Sequence, residues 1–555
     1  MNITRRPSLS AYDYIIIGSG SAGSTLAARL SEDPGNNVLL IEAGPSDRSL
    51  FIQMPAALGI PLMKDRYNWK FFGANEDFHE TQSDTGVYTP RGRVLGGSSS
   101  INGMNWVRGN RADYDGWCHR GLDDWSYAHC LPYFKRSEHY PQGDAAYRGT
   151  GGATEVVKTE IKNPLFQGFL SACSEYGAAL NPDHNGAHQG GAHETQRNVS
   201  NGVRHSASQA YLHDQPQKDN LELMLETRCN AIKLSQNRAV GVTLYRAGEE
   251  LNIEVGKELI ICAGAIQSPH LLMLSGIGDG DALSSCGIQP RHHLPGVGHN
   301  LQDHPAWCFE YGANNPSDSI AAELHGFGRL KTGLQWLLQK RGLGSSNHFE
   351  VGAFLSLISS SDHPDIQLEC IAMRGDFAPE GITISPGFQC FASLQRPTSR
   401  GKLWIDSADP FKPPKFRFHY LSTIEDKELA LHTVSAIQEI FHQPAWRGRL
   451  TSELSGASNL NSKKDTARWL YSKVESNYHP CGTCSMGTSQ DAVTNSEGRV
   501  HGLDNLRVVD ASIIPAIPAG NLNAITIMIA EKIADNILGH APLKPEFPWS
   551  EQPAA

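Results

Sequence analysis

The sequence has no apolar run long enough to cross a bilayer and no excess of positive charge. A membrane-spanning helix needs about twenty consecutive apolar residues, and no apolar stretch here approaches that length. The 555 residues carry 48 Lys and Arg against 58 Asp and Glu, a formal net charge of −10. Nucleic-acid binders concentrate basic residues, so this balance argues against a nucleic-acid partner.

The sequence also lacks a cysteine framework and an obvious linker. Its 11 cysteines, an odd number, are scattered at irregular spacings, which fits free thiols in a reducing compartment better than disulfides. We therefore expect a cytoplasmic protein, with peripheral contact at the inner membrane left open. No proline- or serine-rich linker and no repeat marks a boundary, although a chain of this length is too long for one simple core.

Near its start the chain has a glycine pattern typical of dinucleotide binding. The apolar run 15–17 predicts a buried strand, and Gly18, Gly20 and Gly23 follow it at GxGxxG spacing into a helix-like stretch at 24–30. Gly18 allows a tight turn, Gly20 lets the backbone approach a pyrophosphate, and Gly23 allows close helix packing. The helix N-terminus adds N–H groups and a positive dipole end.

An acidic residue follows the next predicted strand. The strand at 37–41 leads to Glu42, nineteen residues after Gly23, where a carboxylate can accept both hydroxyls of an adenosine ribose. The same carboxylate would repel a 2′-phosphate, so NADP is disfavoured, while FAD and NAD both remain open.

A second glycine-rich segment, 92–106, combines small residues and hydroxyls with apolar side chains such as Leu95 and Trp106. Those apolar residues favour a buried segment that faces a ligand over a surface loop.

Blocks along nearly the whole chain resemble the glucose-methanol-choline (GMC) oxidoreductases, an FAD-dependent family. The segment 92–106 is similar to the family's first signature, and 264–278 is similar to its second. Further matching blocks follow in the family's order at 295–304, 479–487 and 507–524. Within the family, the bacterial choline dehydrogenase branch is most similar at 53–57, 66–69 and 346–350.

The resemblance implies an α/β (α+β mixed) fold in which two domains are interleaved along the chain. A Rossmann-like FAD-binding domain would comprise residues 11–160, 202–310 and 477–541. A substrate-binding domain, built on an antiparallel sheet with helices, would comprise residues 161–201 and 311–476.

The resemblance also implies which residues hold FAD. The ADP half would contact Gly18, Ser19, Gly20, Ser21, Ala22, Gly23, Glu42 and Ala43. The pyrophosphate and isoalloxazine would contact Trp69, Arg93, Gly96, Gly97, Ser98, Ser99, Asn102, Gly103 and Met104. The remaining implied FAD contacts are Cys229, Ala263, Asp510, Ala511, Asn523 and Ala524.

The FAD is expected to be noncovalent. Choline oxidase-like members attach it through a histidine in the glycine-rich loop, and the matching position here is Ile101. An isoleucine side chain has no nucleophile with which to form that bond.

The predicted catalytic residues lie near the end of the chain. His479, followed by Pro480, matches the family's catalytic histidine, and Asn523 is interpreted as its polar partner. Oxidising an alcohol removes the hydroxyl proton and passes a hydride from the α-carbon to flavin N5, which requires a base of near-neutral pKa. Histidine fits that need, whereas Asn523 could orient the substrate oxygen but could not be a base.

Cys481 and Cys484 have the spacing of a redox pair or of half a zinc site. No second CxxC completes a metal site. We therefore predict no metal and expect this segment to position His479.

The predicted substrate pocket departs from that of choline-specific family members. Those members carry a glutamate two residues after the histidine of the Asp303-His304 motif, where a carboxylate can pair with trimethylammonium, and here that position is Ala306. Arg374 lies near where related enzymes place an aromatic wall of the cation pocket, and a guanidinium there could clamp an anion. The alternative is that Arg374 faces solvent or pairs with Asp376. Three aromatic rings could still bind a cation: Trp307, Phe349 and Tyr478.

The sequence therefore predicts FAD-dependent oxidation of a small primary alcohol, neutral or anionic, to its aldehyde, with His479 as base. Choline dehydrogenase is the alternative, and an FAD-containing lyase that uses the same histidine is an alternative of another class. The electron acceptor would be oxygen or a quinone or other respiratory carrier. Assembly into a homo-oligomer remains open.

Overall fold

The computed structural model describes residues 2–4, 7–8, 10–77, 86–358, 363–378, 381–460 and 462–550. Two large sheets organise them, one mostly parallel with eight strands and one antiparallel with seven. This is the predicted mixed α/β fold.

The first sheet is built around the strand predicted before the glycine turn. Ala11–Ile17 pairs in parallel with Val38–Ile41 on one side and with Glu249–Ile261 on the other. Its apolar residues Ile15, Ile16 and Ile17 are buried, as a parallel strand with covered faces requires. The parallel part continues through Asn2–Ile3, Leu221–Met224 and Leu506–Val508, and the antiparallel edge is Arg228–Ser235 and Arg238–Arg246.

The helix after this strand, Ser21–Leu30, begins three residues earlier than the predicted residue 24. Gly18 closes the turn with a φ of +97°, a conformation that favours glycine. A Cβ at Gly23 would lie 1.9 Å from the Gly18 carbonyl oxygen, so Gly23 packs closely against the turn, as predicted. The final helix, Asn523–Leu538, packs against this first helix.

The second sheet is antiparallel throughout. Its strands, in spatial order, are Leu450–Glu453, Pro305–Ala313, Phe388–Leu394, Ile366–Ile371, Val351–Leu355 and Gly191–Glu194, with Glu475–Ser476 also paired to Pro305–Ala313. Pro305–Ala313 runs across the boundary predicted at 310/311. We therefore propose that the substrate-binding domain takes in this whole strand; the other boundaries stay predictions.

Helices cover the two sheets. The other helices of six or more residues are Arg111–Cys118, Tyr127–Ser137, Pro164–Tyr176, Gly264–Leu274, Gly280–Ser285, Gly326–Gln339, Ile424–Phe441 and Lys463–Lys473. Short strand pairs include Phe71–Phe72 with Tyr88–Thr89, Val199–Ser200 with Val203–Arg204, and Arg374–Ala378 with Gly381–Ser385. Within the described ranges, no helix has the length and apolar content to cross a membrane.

A buried ion cluster joins segments that are distant in sequence. Glu138 is fully buried and forms ion pairs with Arg108 and Arg148, with Arg148 Nε 2.7 Å from Glu138 Oε1. Arg148 Nη1 also lies 2.7 Å from Asp183 Oδ1, and Trp106 Nε1 donates to Glu138 at 2.7 Å. Burial alone would raise the pKa of Glu138, but Arg108 and Arg148 hold it below its usual value.

We expect Glu138→Ala to destabilise the protein by about 3–5 kcal/mol, because two buried guanidinium groups would lose their carboxylate. The measurement is the urea or thermal unfolding midpoint of the purified protein. Glu160→Ala is the matched control, since it breaks an exposed pair with Lys162 at 3.0 Å and should cost at most about 1 kcal/mol. Equal losses in the two variants would contradict the stabilising role of the buried cluster.

Candidate active site

A cavity of about 1080 Å³ extends from the turn at Gly18 and Glu42 to His479. Most residues predicted to hold FAD line it: Gly18, Gly20, Ser21, Ala22, Glu42, Ala43, Trp69, Gly97, Ser98, Ser99, Asn102, Gly103, Met104, Cys229, Ala263, Asp510, Ala511 and Asn523. The four predicted substrate residues line the same cavity: Ala306, Phe349, Arg374 and Tyr478.

The remaining predicted cofactor residues do not line the cavity, and the structure places them elsewhere. Ser19 Oγ donates to Glu42 at 2.7 Å, and Gly96 N donates to the Ser19 carbonyl at 3.0 Å. Gly23 packs on Gly18, and the Arg93 guanidinium lies 5.0 Å from the centroid of the Trp69 ring. Ala524 is buried in the final helix. Gly96 also accepts from Ser99 Oγ at 2.6 Å, so four of these five residues contact a cavity-lining residue and support the wall.

Two features show that the residues present fit FAD. Glu42 is held rigidly, because its carboxylate accepts from Ser19 N at 3.1 Å and from Gly44 N at 2.8 Å. Asn523 accepts a hydrogen bond from Ser21 Oγ at 2.7 Å, but its Nδ2 is a buried donor without a partner among the described residues. An unsatisfied donor beside the dinucleotide turn suits an acceptor atom of the cofactor.

His479 lies at the other end of the cavity between two side chains. Its Nδ1 is 3.0 Å from His304 Nδ1, and its Nε2 is 3.2 Å from Asn521 Nδ2. Its backbone N–H donates to Asp303 at 2.8 Å. The preceding residue, Tyr478, has a φ of +64°, which is uncommon for a non-glycine residue and marks local strain beside the site.

This geometry corrects the predicted pairing of His479 with Asn523. Asn523 is the first residue of the final helix, so its side chain turns towards Ser21, whereas Asn521 lies two residues before the helix and reaches the imidazole. The two asparagines therefore serve opposite ends of the cavity.

The hydrogen bonds around His304 determine which nitrogen of His479 is free. His304 Nε2 lies 3.0 Å from the Gln395 carbonyl oxygen, which can only accept, so Nε2 carries the proton. Burial lowers the pKa of His304 to about 3, so His304 is neutral and its Nδ1 is an acceptor. His479 must then donate from Nδ1, which leaves Nε2 unprotonated and facing Asn521.

The pKa of His479 favours the same state. Burial lowers it well below the usual histidine value, and His304 and Arg91 lower it further. Arg91 donates to the Tyr478 carbonyl at 2.5 Å, one residue from His479. His479 is therefore neutral, and able to accept a proton, throughout the physiological pH range.

Asn521 is oriented by its own partners. Its Oδ1 accepts from Gln367 Nε2 at 3.2 Å, and its Nδ2 lies 3.3 Å from Glu369 Oε1. Glu369 also accepts from Asn105 and, at 3.2 Å, from Asn477. Because a carboxylate can only accept, one amide N–H of Asn521 donates to Glu369 and the other points towards His479.

The sheet forms the substrate side of the cavity. Ala306, Cys308 and Glu310 alternate along Pro305–Ala313 and line the cavity. Arg374 Nη2 lies 3.7 Å from Glu310, so the guanidinium has an acidic neighbour. Glu475, which also lines the cavity, pairs directly opposite Ala306 on the neighbouring strand.

The CxxC segment packs behind His479. Cys481 and Cys484 are both fully buried free thiols. Cys481 N donates to the Gln302 carbonyl at 2.9 Å, and Cys484 N donates to the Ser512 carbonyl at 2.8 Å. These backbone bonds hold the segment that carries His479.

Two family models, both described as GMC oxidoreductase, match residues 12–306 and 397–530. The chain belongs to this family. This protein is therefore an FAD-dependent alcohol oxidoreductase, as the sequence predicted.

Curated relatives cover nearly all of this GMC oxidoreductase. It is 41% identical over 545 residues to the oxygen-dependent choline dehydrogenase of Photobacterium profundum, covering 97% of this chain and 94% of that one. It is 42% identical over 539 residues to the enzyme of the same name from Vibrio vulnificus, covering 96% of each.

Solved structures share the fold. Pyridoxine 4-oxidase from Mesorbium loti is 29% identical with a TM-score of 0.85, covering 96% of this chain and 100% of that one. A formate oxidase variant from Aspergillus oryzae RIB40, described in relation to FAD modification, is 25% identical with a TM-score of 0.88 and covers 96% and 99%.

The sequence interpretation missed Asn521, Glu369 and the contact between His304 and His479. Asn521 was visible in a matching block, but spacing could not tell it from Asn523. Glu369 had a local signal, since it is the acid in a buried strand, Ile366–Ile371, that is otherwise apolar or uncharged. An acidic residue is rarely buried in such a strand unless its carboxylate has hydrogen-bond or charged partners.

Separate substitutions of the two asparagines test the corrected assignment. We expect Asn521→Ala to slow anaerobic flavin reduction on the order of 10²-fold while FAD is retained, because a donor beside the base is lost. We expect Asn523→Ala to lower the FAD-to-protein ratio more than the rate per bound flavin. Stopped-flow absorbance and flavin content measure the two quantities. The reverse pattern would restore the original assignment of Asn523.

Proposed function

We propose that this GMC oxidoreductase oxidises a small primary alcohol to its aldehyde with His479 as the catalytic base. The observation that carries the proposal is the position of His479 Nε2 in the cavity, 3.2 Å from Asn521 Nδ2. These two atoms form an acceptor and a donor that could share one substrate hydroxyl. When bound, FAD supplies the hydride acceptor at flavin N5.

The side chains account for the proton. The substrate hydroxyl donates to His479 Nε2, while the Asn521 N–H that does not bond Glu369 donates to the oxygen as negative charge develops on it. The proton stays on His479, and the resulting imidazolium donates from Nδ1 to His304. The Asp303 carboxylate, which accepts from His479 N at 2.8 Å and Tyr420 Oη at 2.6 Å, holds the backbone of the base in place.

His479→Ala should keep FAD but reduce the rate of alcohol-dependent flavin reduction on the order of 10²- to 10⁴-fold, because proton removal is lost. The measurement is anaerobic bleaching of flavin absorbance in a stopped-flow instrument. His325→Ala, at an exposed histidine, is the control and should bleach at the wild-type rate.

The same assay has a defined pH dependence. Since the pKa of His479 is depressed, the rate should stay level as the pH falls through the ordinary histidine range and should drop only below it, where His479 takes up a proton. Wild-type bleaching by the His479→Ala variant would refute the base. Turnover of a substrate with unchanged flavin absorbance would instead favour the lyase.

The charge of the substrate is the finer part of the proposal. The predicted preference for a neutral or anionic alcohol rested on Ala306 and Arg374. Arg374 lies 3.7 Å from Glu310, so its charge is offset and the anionic part loses support. Ala306 still lacks a carboxylate, and we propose a neutral alcohol.

A cationic alcohol such as choline is the second candidate, because one observation favours it. Residues directly opposite in an antiparallel pair point to the same face with Cβ atoms about 5 Å apart. Glu475, opposite Ala306, can therefore present a carboxylate where Ala306 has none. Burial raises the pKa of Glu475 to about 7, with Lys473 lowering it and Glu310 raising it. The curated relatives named choline dehydrogenases also support this candidate.

Choline and its uncharged isostere, 3,3-dimethylbutan-1-ol, separate charge from shape. If the enzyme prefers a neutral alcohol, the wild-type kcat/KM for the isostere should be at least equal to that for choline. Ala306→Glu should then raise the choline-to-isostere ratio about tenfold or more, since it adds a carboxylate in a desolvated site.

The second candidate predicts the opposite result. Wild type would prefer choline, the preference would grow from pH 6 to pH 8 as Glu475 ionises, and Glu475→Gln would remove both effects.

The electron acceptor completes the proposal. We propose oxygen or a quinone or other respiratory carrier. The relatives are named oxygen-dependent choline dehydrogenases, which supports oxygen.

A further inference from the structure

The helix Gly326–Gln339 turns its apolar side chains outward. Phe327, Leu330, Leu334, Leu337 and Leu338 are 81%, 66%, 54%, 49% and 72% exposed. Their spacing of three, four, three and one residues places them on one face of an α-helix. Large apolar side chains gathered on one exposed face mark an interaction surface, whereas isolated ones are ordinary.

The opposite face fixes the helix to the protein. Thr332 and Trp336 are its buried residues. Trp336 Nε1 donates to the Gly202 carbonyl at 2.7 Å, and Thr332 Oγ1 donates to the Glu323 carbonyl at 3.1 Å. These contacts fix the orientation of the helix, and its apolar face therefore points outward.

The charge of this segment is opposite to that of the whole chain. Residues 326–341 contain Arg329, Lys331, Lys340 and Arg341 and no acidic residue, whereas the chain has a net charge of −10. Arg329, Lys331 and Arg341 are exposed. Lys340 Nζ lies 3.5 Å from the centroid of the Trp336 ring. None of the four forms an ion pair with any residue in the described part of the chain.

We propose that the helix Gly326–Gln339 lies in the surface of an anionic phospholipid bilayer and attaches the enzyme peripherally. An in-plane membrane helix combines an apolar face that enters the acyl boundary with basic residues that meet anionic headgroups. Both elements are present on this helix. Leu50 and Phe51, 54% and 52% exposed, add apolar surface on the short helix Leu50–Gln53. That helix packs against the hairpin of Val199–Ser200 and Val203–Arg204, whose turn residue Gly202 is bonded by Trp336.

A second copy of the chain fits this face less well. A symmetric dimer places the same patch of each copy against the other. Arg329 and Lys331 of one helix, with Lys340 and Arg341 just after it, would then lie close to the same basic residues of the partner, and residues 326–341 contain no acidic residue to offset them. An anionic lipid surface supplies the missing charge.

Flotation of the purified holoenzyme with lipid vesicles tests the proposal. Vesicles of phosphatidylglycerol and phosphatidylcholine in equal parts should bind the enzyme at least tenfold more than pure phosphatidylcholine, and 0.5 M NaCl should weaken that binding. Leu330→Ser/Leu334→Ser/Leu338→Ser should bind the anionic vesicles at least tenfold less while keeping its FAD and its melting temperature.

Two further variants make the outcome decisive. Leu180→Ser/Ile424→Ser removes apolar side chains that are 61% and 67% exposed elsewhere, and it should bind like wild type. Lys331→Glu/Arg341→Glu changes only exposed charges, so it should lose binding even if the serine variant fails to fold.

The proposal is overturned if wild type does not bind anionic vesicles at low salt, or if both helix variants bind as wild type does. It is also overturned if the helix variants turn a wild-type dimer into a monomer without changing vesicle binding, because a second copy would then cover the face. None of these readouts depends on the alcohol or on His479.

Discussion

The active site depends on Gln395, which bonds the side chain of His304 and the backbone next to Asn521, the two residues that flank the base. Its backbone carbonyl accepts from His304 Nε2 at 3.0 Å and so fixes the proton positions along His304 and His479. Its side-chain Oε1 accepts from Gly520 N at 2.5 Å, one residue before Asn521. Gln395 is itself fully buried. One residue of the segment after strand Phe388–Leu394 thus sets the protonation of the base and the position of its polar partner.

This arrangement explains why a histidine buried so deeply can still act as a base. Burial removes its proton, which lowers its affinity for the substrate proton but leaves the free base fully populated at neutral pH. The neutral His304 beside it offers an acceptor and not a second charge. His304 therefore adds no charge repulsion when His479 becomes an imidazolium, and the repulsion that opposes this charge comes from Arg91.

Much of the fold could be predicted from local sequence. The strand at 15–17, the glycine turn and Glu42 follow from an apolar run, the glycine spacing and the position of the acid after the next strand, and the structure places all three as expected. The antiparallel sheet came only from the resemblance, because its seven strands come from seven separate stretches between residues 191 and 476. No local pattern records such long-range pairing.

The catalytic end of the site was less predictable. His479 could be singled out by its motif, but its contact with His304 joins residues 175 positions apart. The choice between Asn521 and Asn523 depended on where the final helix begins, and helix starts are the least certain part of a sequence prediction. Arg374 could be seen as a charge, whereas its neighbour Glu310 lies on a different strand, Pro305–Ala313, so their contact appears only in the three-dimensional structure.

The final helix links the two ends of the cavity. Asn523, its first residue, contacts Ser21 in the dinucleotide turn, and Asn521, two residues earlier, contacts His479. The same helix is tied to the first helix by Arg29, which faces Glu531 and lies 3.0 Å from Asp535. Because both asparagines sit at one helix start, a shift of that helix would move the cofactor contact and the base contact together. The spacing between the cofactor turn and the base is therefore set by one rigid element, which catalysis by positioning requires.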